Sequence, residues 1–424
     1  MIKNIFYGIM VVGLAAAQRP ATNYDESKVG VYTLPDPLVF NDGTPARTAA
    51  DWTGRRRAEI LELFAASVYG HSPALGHFRY DMVEHDGRAF DGAAVRRQVT
   101  VWFTPYNDGP HEDLLIYLPA HAGKPVPLIL SLNFTGNHTV SGDAGVRLPM
   151  VWDEKTHEGH RALESSRGSS NQFQVEKILA RGYGFATIYY QDIEPDFNGG
   201  AQYGVRSLFP FPAVDWGAIG AWAYGLSRAM DYLETDPAVD AHRVAVMGHS
   251  RLGKTALWAG ALDRRFAMVL SSCSGEGGAS LSRRDYGETI ADLVRVFPYW
   301  FTPNYRKYAG HADQLPVDMH ELIALIAPRP VYITGAEEDQ WADPKGEFLA
   351  CVAAGPVFRL LNAEDLGTDQ MPPLNHPILR TIGFHYRTGK HEVTAYDWEQ
   401  FLNFADLHLR AQPQSGTASA KASR

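Results

Sequence analysis

The distribution of apolar residues along the chain predicts buried parallel strands separated by helices. Four short stretches are almost continuously apolar, and each runs into a loop: 126–134, 183–190, 242–250 and 329–339. Runs of this length are typical of strands that are buried on both faces of a parallel sheet. Helical segments are predicted at 172–181, 216–234 and 251–262, with a last helix at 395–409. This alternation predicts an α/β fold whose mostly parallel sheet has helices on both faces.

The chain before the first apolar run predicts a helix and then strands. Residues 51–69 repeat apolar side chains at helical spacing, with Ile60, Phe64 and Val68 on one stripe. From about 77 to 119, VRRQVTVWF and DLLIYLP alternate or run apolar between turn residues, which indicates strands. We expect an extended lead-in at 18–45, one α/β domain at 46–411 and a disordered tail at 412–424.

Composition and charge narrow the class of protein. The chain has 424 residues, of which 45% are hydrophobic and 21% charged, as in soluble globular proteins. The formal net charge of −9 argues against nucleic acid as a partner, because nucleic-acid binding needs a basic surface.

The N-terminus has the pattern of a signal peptide. Lys3 supplies a positive charge, an apolar run covers 5–17, and Ala15 and Ala17 fit the small-residue cleavage rule. A run of about 13 apolar residues is too short to span a bilayer. We therefore expect cleavage of residues 1–17, a mature protein that begins at Gln18, and a secreted or periplasmic location.

Signals for disulfides and metals are weak. Cys273 and Cys351 could form one disulfide, but two cysteines cannot make a disulfide scaffold. The chain has no Cys-x-x-Cys motif, and the pair His157 and His160 lacks a third ligand pattern. We expect neither a metal nor an organic cofactor.

A serine on a predicted strand-to-helix turn is the strongest chemical signal. The third apolar run leads into GHSRLGK at 248–254, and a helical segment follows. Such a turn pushes the Ser250 hydroxyl out above the sheet and directs backbone N–H groups at one point, where an oxyanion can be held. The usual pattern is G-x-S-x-G, whose second glycine comes one position before Gly253. Ser250 could also be an ordinary helix N-cap, but its context favours the nucleophile of an α/β-hydrolase.

The order of residues along the chain selects an acid and a base. In an α/β-hydrolase the triad follows in the order serine, acid, histidine. Asp339 follows a predicted strand by a short polar loop, and His391 lies in the loop before the last helix. His385 falls within the predicted strand 378–387 and is the weaker candidate. Competing acids lie near Asp339 or in the glycine-rich loop after Cys273: Glu337, Glu338, Asp343 and Glu276.

The residues around Ser250 resemble a known family. The run GHSRLGKTAL at 248–257 is similar to the nucleophile motif of the bacterial glucuronoyl esterases, carbohydrate esterase family 15. An arginine directly after the serine and a lysine four residues on are more specific than G-x-S-x-G. Further similarity lies at 133–138, 190–192, 274–278 and 343–347, and the resemblance covers most of the chain from about 50 to 410.

The resemblance implies an activity and a set of catalytic roles. The family cleaves the ester between a glucuronic acid branch of xylan and an alcohol group of lignin. By this resemblance, Ser250 is the nucleophile and His391 the base. Arg251 contributes to the oxyanion hole through its backbone N–H and its guanidinium.

The resemblance also implies how the sugar is held. Lys254 and Glu288 would bind sugar hydroxyls, and Trp341 would pack beside the uronate and donate its indole N–H. Without the resemblance, Glu288 is predicted to be a surface carboxylate and Trp341 to be a packing aromatic. We expect a monomer whose partner is a glucuronoxylan–lignin ester and which binds no membrane once the leader is removed.

One departure from the family pattern affects the acid. Many members carry a glutamate at the position of Cys273, and a neutral thiol cannot stabilise an imidazolium as a carboxylate does. The acid is therefore predicted to be Asp339, where other bacterial members carry one. Two other functions stay open: an acetyl xylan or other carbohydrate esterase on the same fold, and an inactive hydrolase fold that binds carbohydrate.

Overall fold

A ten-stranded sheet forms the centre of the structure. The structure is a computed structural model that describes residues 22–74, 76, 78–153, 155–209 and 215–410. Its strands are β1 (Arg79–Ala89), β2 (Ala94–Trp102), β3 (His111–Pro119), β4 (Val126–Asn133), β5 (Met150–Trp152), β6 (Gly159–Arg161), β7 (Gly184–Tyr189), β8 (Val239–His249), β9 (Met268–Ser272), β10 (Val331–Ala336), β11 (Ile378–Leu379) and β12 (Ile382–Arg387). Strands β5 and β6 form a separate hairpin.

The strand order of the sheet places the functional loops together. The order is β1-β2-β3-β7-β4-β8-β9-β10-β12-β11. From β7 to β12 the neighbouring strands are parallel, whereas β1 to β3 and the short β11 add antiparallel edges. In a sheet of this kind, ligands bind outside the carboxyl ends of the parallel strands.

Helices cover both faces of the sheet. They are α1 (Ala49–Asp51), α2 (Arg57–Phe64), α3 (Val175–Ala180), α4 (Tyr190–Ile193), α5 (Ala218–Leu233), α6 (Arg251–Leu262), α7 (Ile290–Val296), α8 (Met319–Ala324), α9 (Pro344–Leu360) and α10 (Ala395–His408). One π-helical turn follows α1 and another follows α2, so the chain is helical from 49 to 69.

Alternate residues of one central strand show why two helical layers are needed. In β8, Val244 and Val246 belong to the apolar cluster formed with α5, α6, α8 and α9. Their neighbours Ala245 and Met247 belong to the cluster formed with α3 and α10. Because successive side chains of a strand point to opposite faces, a continuously apolar strand requires cover on both sides.

The predicted elements are confirmed, with one correction and several omissions. The range 378–387 is not one strand, because the chain reverses at 380–381 and Ile378 pairs with Phe384 in antiparallel register. The pattern did not reveal β9 and α9, nor the shorter elements β5, β6, α4, α7 and α8. Thr394 and Asp397 form the capping box at the start of α10.

The structure does not describe the two chain ends, for which cleavage and disorder are expected. The predicted signal peptide at 1–17 and the predicted tail at 412–424 lie outside the described residues. Among the residues that are described, the helices are too short or too polar to cross a membrane.

Candidate active site

The residues predicted to carry the chemistry follow adjacent strands at one edge of the sheet. Ser250 follows β8, Asp339 follows β10 and His391 follows β12, while Cys273 follows β9 between them. Since these strands are parallel neighbours, their carboxyl ends meet at one edge, where α/β proteins hold their ligands. Residues that are far apart in the sequence are thus brought together.

Ser250 occupies a strained turn that only its surroundings can impose. Its φ of 57° and ψ of −129° lie in a region that L-residues rarely adopt, at a cost of about 1–3 kcal/mol. A Cβ at Gly248 would lie 1.9 Å from the carbonyl oxygen of Leu252, so strand and helix approach too closely there for any other residue. The backbone N–H of Ser250 donates to the carbonyl of Ser272 in β9 at 2.8 Å. This geometry matches the strand–turn–helix elbow of a hydrolase nucleophile.

Packing also explains why the second glycine comes one position late. A Cβ at Gly253 would lie 3.0 Å from both the Ser271 hydroxyl and the Ser274 Cβ. In this chain the close contact between α6 and the end of β9 therefore falls at 253. Leu252, at the usual glycine position, is instead buried in the core.

His391 and Asp339, the predicted base and acid, form a hydrogen-bonded pair. The Nδ1–H of His391 donates to Oδ2 of Asp339 at 2.6 Å, a length typical of a strong charge-assisted hydrogen bond. The Asp339 side chain is buried, whereas the imidazole is 42% exposed. Two backbone hydrogen bonds tie the acid's loop to the base's loop, from Glu337 N–H to the Arg387 carbonyl and from Glu338 N–H to the Gly389 carbonyl.

The competing acids have other partners. The carboxylate of Glu276 accepts hydrogen bonds from Ser282 and Tyr305, and burial raises its pKa to about 8. Asp343 caps α9 and pairs with Arg284. Glu337 and Glu338 are exposed.

Cys273 lies against Asp339 and His391. Its sulfur, a carboxylate oxygen of Asp339 and a ring nitrogen of His391 all lie within 4.8 Å of one another. Both cysteines of the chain are free and buried, so the disulfide left open by the sequence is not formed. Burial raises the pKa of the Cys273 thiol well above its usual value, and the nearby carboxylates of Glu347 and Asp339 raise it further. The thiol is therefore protonated and neutral at pH 7.

His249, which no sequence pattern indicated, is a neighbour of His391. Its ring centroid lies 4.6 Å from that of His391. Burial lowers the pKa of His249 to about 3, and the charge that His391 can carry lowers it further. His249 consequently stays neutral when His391 gains a proton. The only signal in the sequence was its place directly before the serine.

Arg251 is held by Asp196, an acid that no sequence pattern indicated. The Arg251 guanidinium pairs with Oδ2 of Asp196 and lies 4.8 Å from the centre of the Trp300 ring. Asp196 also accepts hydrogen bonds from Trp300 at 2.6 Å, and from Tyr190 and Tyr299 at 2.9 Å each. Four donors fix this carboxylate, which in turn fixes the guanidinium of the residue that follows Ser250.

Lys254, Glu288 and Trp341 form one connected group. The ammonium of Lys254 donates to the carbonyls of Ser274 at 2.6 Å and Glu276 at 2.7 Å, and to the Glu288 carboxylate at 3.2 Å. The Trp341 indole N–H donates to the other Glu288 oxygen at 3.1 Å. Lys254 is buried and Trp341 is 36% exposed, so the group runs from the core to the surface. All three N–H donors of Lys254 are engaged, and the contact with Glu288 is the longest.

The turn after β9 rests on a buried carboxylate that the sequence did not reveal. Glu347 of α9 accepts hydrogen bonds from the backbone N–H groups of Ser274 at 2.7 Å and Gly275 at 3.0 Å. Burial raises the pKa of Glu347 to about 8. This contact holds the segment whose carbonyl binds Lys254.

The histidine pair on the β5–β6 hairpin is not part of a metal cluster in the described chain. His157 stacks on Phe197 with ring centroids 4.1 Å apart. Of the described residues, only Cys273, Asp339 and His391 form a group of three or more metal-ligating side chains with converging atoms.

Comparison with known proteins identifies the family. A family model for glucuronyl esterases of fungi matches residues 196–362. Carbohydrate esterase MZ0003, from an unknown prokaryotic organism, is 48% identical over 404 residues, which cover 93% of each chain.

Solved structures of similar proteins agree with the fold. A glucuronoyl esterase from Solibacter usitatus is 50% identical, with a TM-score of 0.87 over 91% of this chain and 100% of that one. A promiscuous CE15 esterase from a marine bacterial metagenome is 48% identical, with a TM-score of 0.85 over the same shares. The chain therefore belongs to carbohydrate esterase family 15, the glucuronoyl esterases, and is a carboxylic ester hydrolase with the α/β-hydrolase fold.

Proposed function

We propose that this esterase cleaves the ester between (4-O-methyl-)glucuronic acid branches of xylan and lignin alcohols, with Ser250, His391 and Asp339 as its triad. The observation that carries the proposal is the His391–Asp339 hydrogen bond of 2.6 Å at the same sheet edge as the strained Ser250 turn. Because Nδ1 is paired with Asp339, Nε2 is the ring nitrogen left to accept a proton from the serine hydroxyl.

The mechanism is a two-step acyl transfer. His391 takes the proton of Ser250 while the serine oxygen attacks the uronate carbonyl. Buried Asp339 stabilises the imidazolium that forms, and His249 adds no opposing charge because its pKa is about 3. His391 then gives the proton to the leaving alcohol, and a water molecule hydrolyses the acyl-enzyme by the same route.

Arg251 supplies the stabilisation of the oxyanion. As the first residue of α6 it has a backbone N–H with no acceptor inside the helix. Its guanidinium, oriented by Asp196, adds positive charge beside the tetrahedral intermediate. Because both donors are fixed before the reaction, little reorganisation is needed when negative charge develops.

The group of Lys254, Glu288 and Trp341 gives the site its preference for a uronate. A sugar hydroxyl can replace the 3.2 Å contact between Lys254 and Glu288, receiving a hydrogen bond from the ammonium and donating one to the carboxylate. Trp341 supplies an exposed aromatic wall next to these groups. In an acetyl ester the sugar lies on the alcohol side, where this group has no evident use.

Hydrolysis of a carbohydrate acetyl ester is the second candidate. It is favoured by the similarity to an esterase described as promiscuous. An inactive carbohydrate-binding role is disfavoured because the serine, acid and base are all present and two of them are already paired.

A substrate panel separates these functions. We expect benzyl and methyl glucuronate to be hydrolysed with a higher kcat/KM than methyl galacturonate or nitrophenyl acetate. Replacement Lys254→Ala should raise KM for methyl glucuronate by about 10- to 100-fold, since a charged hydrogen bond contributes about 1.5–3 kcal/mol. It should affect nitrophenyl acetate far less. Equal losses on both substrates, or a preference for the acetyl ester, would contradict the uronate assignment.

We also propose that the enzyme is exported. The support is the N-terminal pattern of Lys3, an apolar run and the small residues before Gln18. Mass spectrometry of the protein from the medium or periplasm should find Gln18 at the N-terminus, and an intact Met1 would refute the cleavage site.

A further inference from the structure

Cys273 lies beside the Asp339–His391 pair and has no role in the proposed esterase mechanism. The ligand atoms of Cys273, Asp339 and His391 lie within 4.8 Å of one another. Cys273 and Asp339 are buried, and the partly exposed imidazole forms the side of the cluster open to solvent. A thiol, an imidazole and a carboxylate are the three side-chain types that zinc prefers.

We propose that Cys273, Asp339 and His391 form a binding site for a thiophilic divalent cation such as Zn²⁺, and that the bound ion inhibits the esterase. Three protein ligands leave the fourth tetrahedral position to a water molecule. The site depends on Cys273, which supplies the sulfur ligand of the cluster.

The distances needed for coordination are close to those observed. Bonds of about 2.0–2.3 Å at tetrahedral angles place ligand atoms about 3.3–3.5 Å apart. The hydrogen bond between Asp339 and His391 must therefore open from 2.6 Å by somewhat less than 1 Å. The most distant pair of ligand atoms must close by at most about 1.5 Å, which changes of side-chain torsion can supply.

The backbone of each buried ligand is fixed before an ion arrives. Cys273 has a φ of 46°, in the left-handed region, and its N–H donates to the Thr334 carbonyl at 2.8 Å. The N–H of Asp339 donates to the Ala336 carbonyl at 3.1 Å. Such fixed positions lower the entropic cost of assembling the site.

Inhibition follows from the two nitrogens of His391. Without an ion, Nδ1 carries the proton and Nε2 has the lone pair that accepts the proton of Ser250. An ion bound at Nδ1 displaces that proton, and the neutral ring then carries its proton on Nε2. The thiol of Cys273 releases its proton to solvent as the sulfur–metal bond forms. Nε2 can then no longer act as a base, so the inhibitory part of the proposal rests on the proposed triad.

The test combines an activity titration with a direct measure of coordination. Zn²⁺ is titrated into the wild type, Cys273→Ser and the matched control Cys351→Ser, which removes the other buried free cysteine. Each rate is expressed relative to the same variant without metal. In parallel, Co²⁺ replaces Zn²⁺, because a thiolate ligand gives a charge-transfer absorption band with cobalt.

We expect wild type and Cys351→Ser to show the cobalt band, to bind one ion and to lose activity, which a chelator restores. Cys273→Ser should lack the band and need at least tenfold more Zn²⁺ for the same inhibition. Absence of the band from the wild type would overturn the site, even if a cysteine variant failed to fold. Equal inhibition of Cys273→Ser would also overturn it. A band without inhibition would keep the metal site but remove His391 as the base, which separates the two proposals.

Discussion

Two histidine–carboxylate pairs lie close together on β12 and the loop after it, and they differ in access to solvent. His391 donates to Asp339 at 2.6 Å, and His385 donates to Asp397 at 2.8 Å. The first imidazole is 42% exposed, and the second is completely buried. The pairs are almost alike in residue type and distance, so these features alone do not identify a catalytic base.

The two imidazole rings differ in their hydrogen-bond partners and in their access to a substrate. Both nitrogens of His385 are engaged, since Nδ1 accepts a hydrogen bond from Tyr332 at 3.0 Å. Its partner Asp397 also receives the guanidinium of Arg387 and caps α10. This second pair therefore fastens α10 to β12, while His391 remains able to meet a substrate.

The largest difference should appear when each histidine is removed. We expect His391→Ala to lower kcat for benzyl glucuronate by about 10⁴-fold or more, because loss of a triad member removes the proton transfer. The variant should unfold at nearly the wild-type temperature. His385→Ala should instead lower the melting temperature while the folded fraction keeps kcat within a few fold. Steady-state kinetics and thermal unfolding of both variants check this, and the reverse pattern would assign the base to His385.

Substitution of the two carboxylates, Asp339 and Asp397, should likewise affect activity in one case and stability in the other. Asp339→Asn keeps the shape but removes the charge that supports an imidazolium, so kcat should fall by roughly 10⁴-fold. Asp397→Asn should lower the free energy of unfolding by about 3 kcal/mol, since it leaves Arg387 buried without its counter-charge.

Variants near Cys273 are the controls for the acid. Glu276→Gln should cost far less activity than Asp339→Asn, because Glu276 bonds to Ser282 and Tyr305. Cys273→Ser should lower kcat only slightly. If Glu276→Gln abolished turnover while Asp339→Asn retained it, the acid would lie on the other loop.

The smallest expected effect is on the pH dependence of stability. Burial lowers the pKa of His385 below its usual value, despite the hydrogen bond to Asp397. Below about pH 6.5 the unfolded chain binds a proton that the folded protein does not, so stability falls as the pH falls. His385→Gln should lose this contribution, and its unfolding free energy should decline less steeply between pH 7 and pH 5. Urea unfolding at several pH values measures both slopes, and identical slopes would mean that the folded protein binds the proton as readily as the unfolded chain.

The elements that the sequence predicted are those whose signal is local. Continuously apolar runs revealed the central strands, and helical spacing revealed α5, α6 and α10. The helix α9 contains Gly346, Gly355 and Pro356, which disfavour a helix locally. Buried Phe348 and Val357 and the cap by Asp343 stabilise it in the folded chain. Strand β9 is only five residues long and ends in serines, so its pattern does not stand out.

The residues of the candidate site also fall into two groups, those with a local sequence signal and those without one. Ser250, Asp339 and His391 could be selected because the fold imposes their order and each follows a recognisable strand. Asp196 could not be selected, since it is 55 positions from Arg251 and their contact depends on the tertiary fold. Likewise, nothing in the local sequence shows that backbone carbonyls occupy two donors of Lys254.

The turnover of Ser250→Ala with benzyl glucuronate is the most direct test of the proposed nucleophile. Loss of the serine oxygen removes the nucleophile but leaves His391, Asp339 and the sugar-binding group in place. We expect the variant to fold with a melting temperature close to that of the wild type and to lose at least about 10⁴-fold in kcat. A folded Ser250→Ala variant with near wild-type kcat would contradict the assignment of the nucleophile and of the triad built on it.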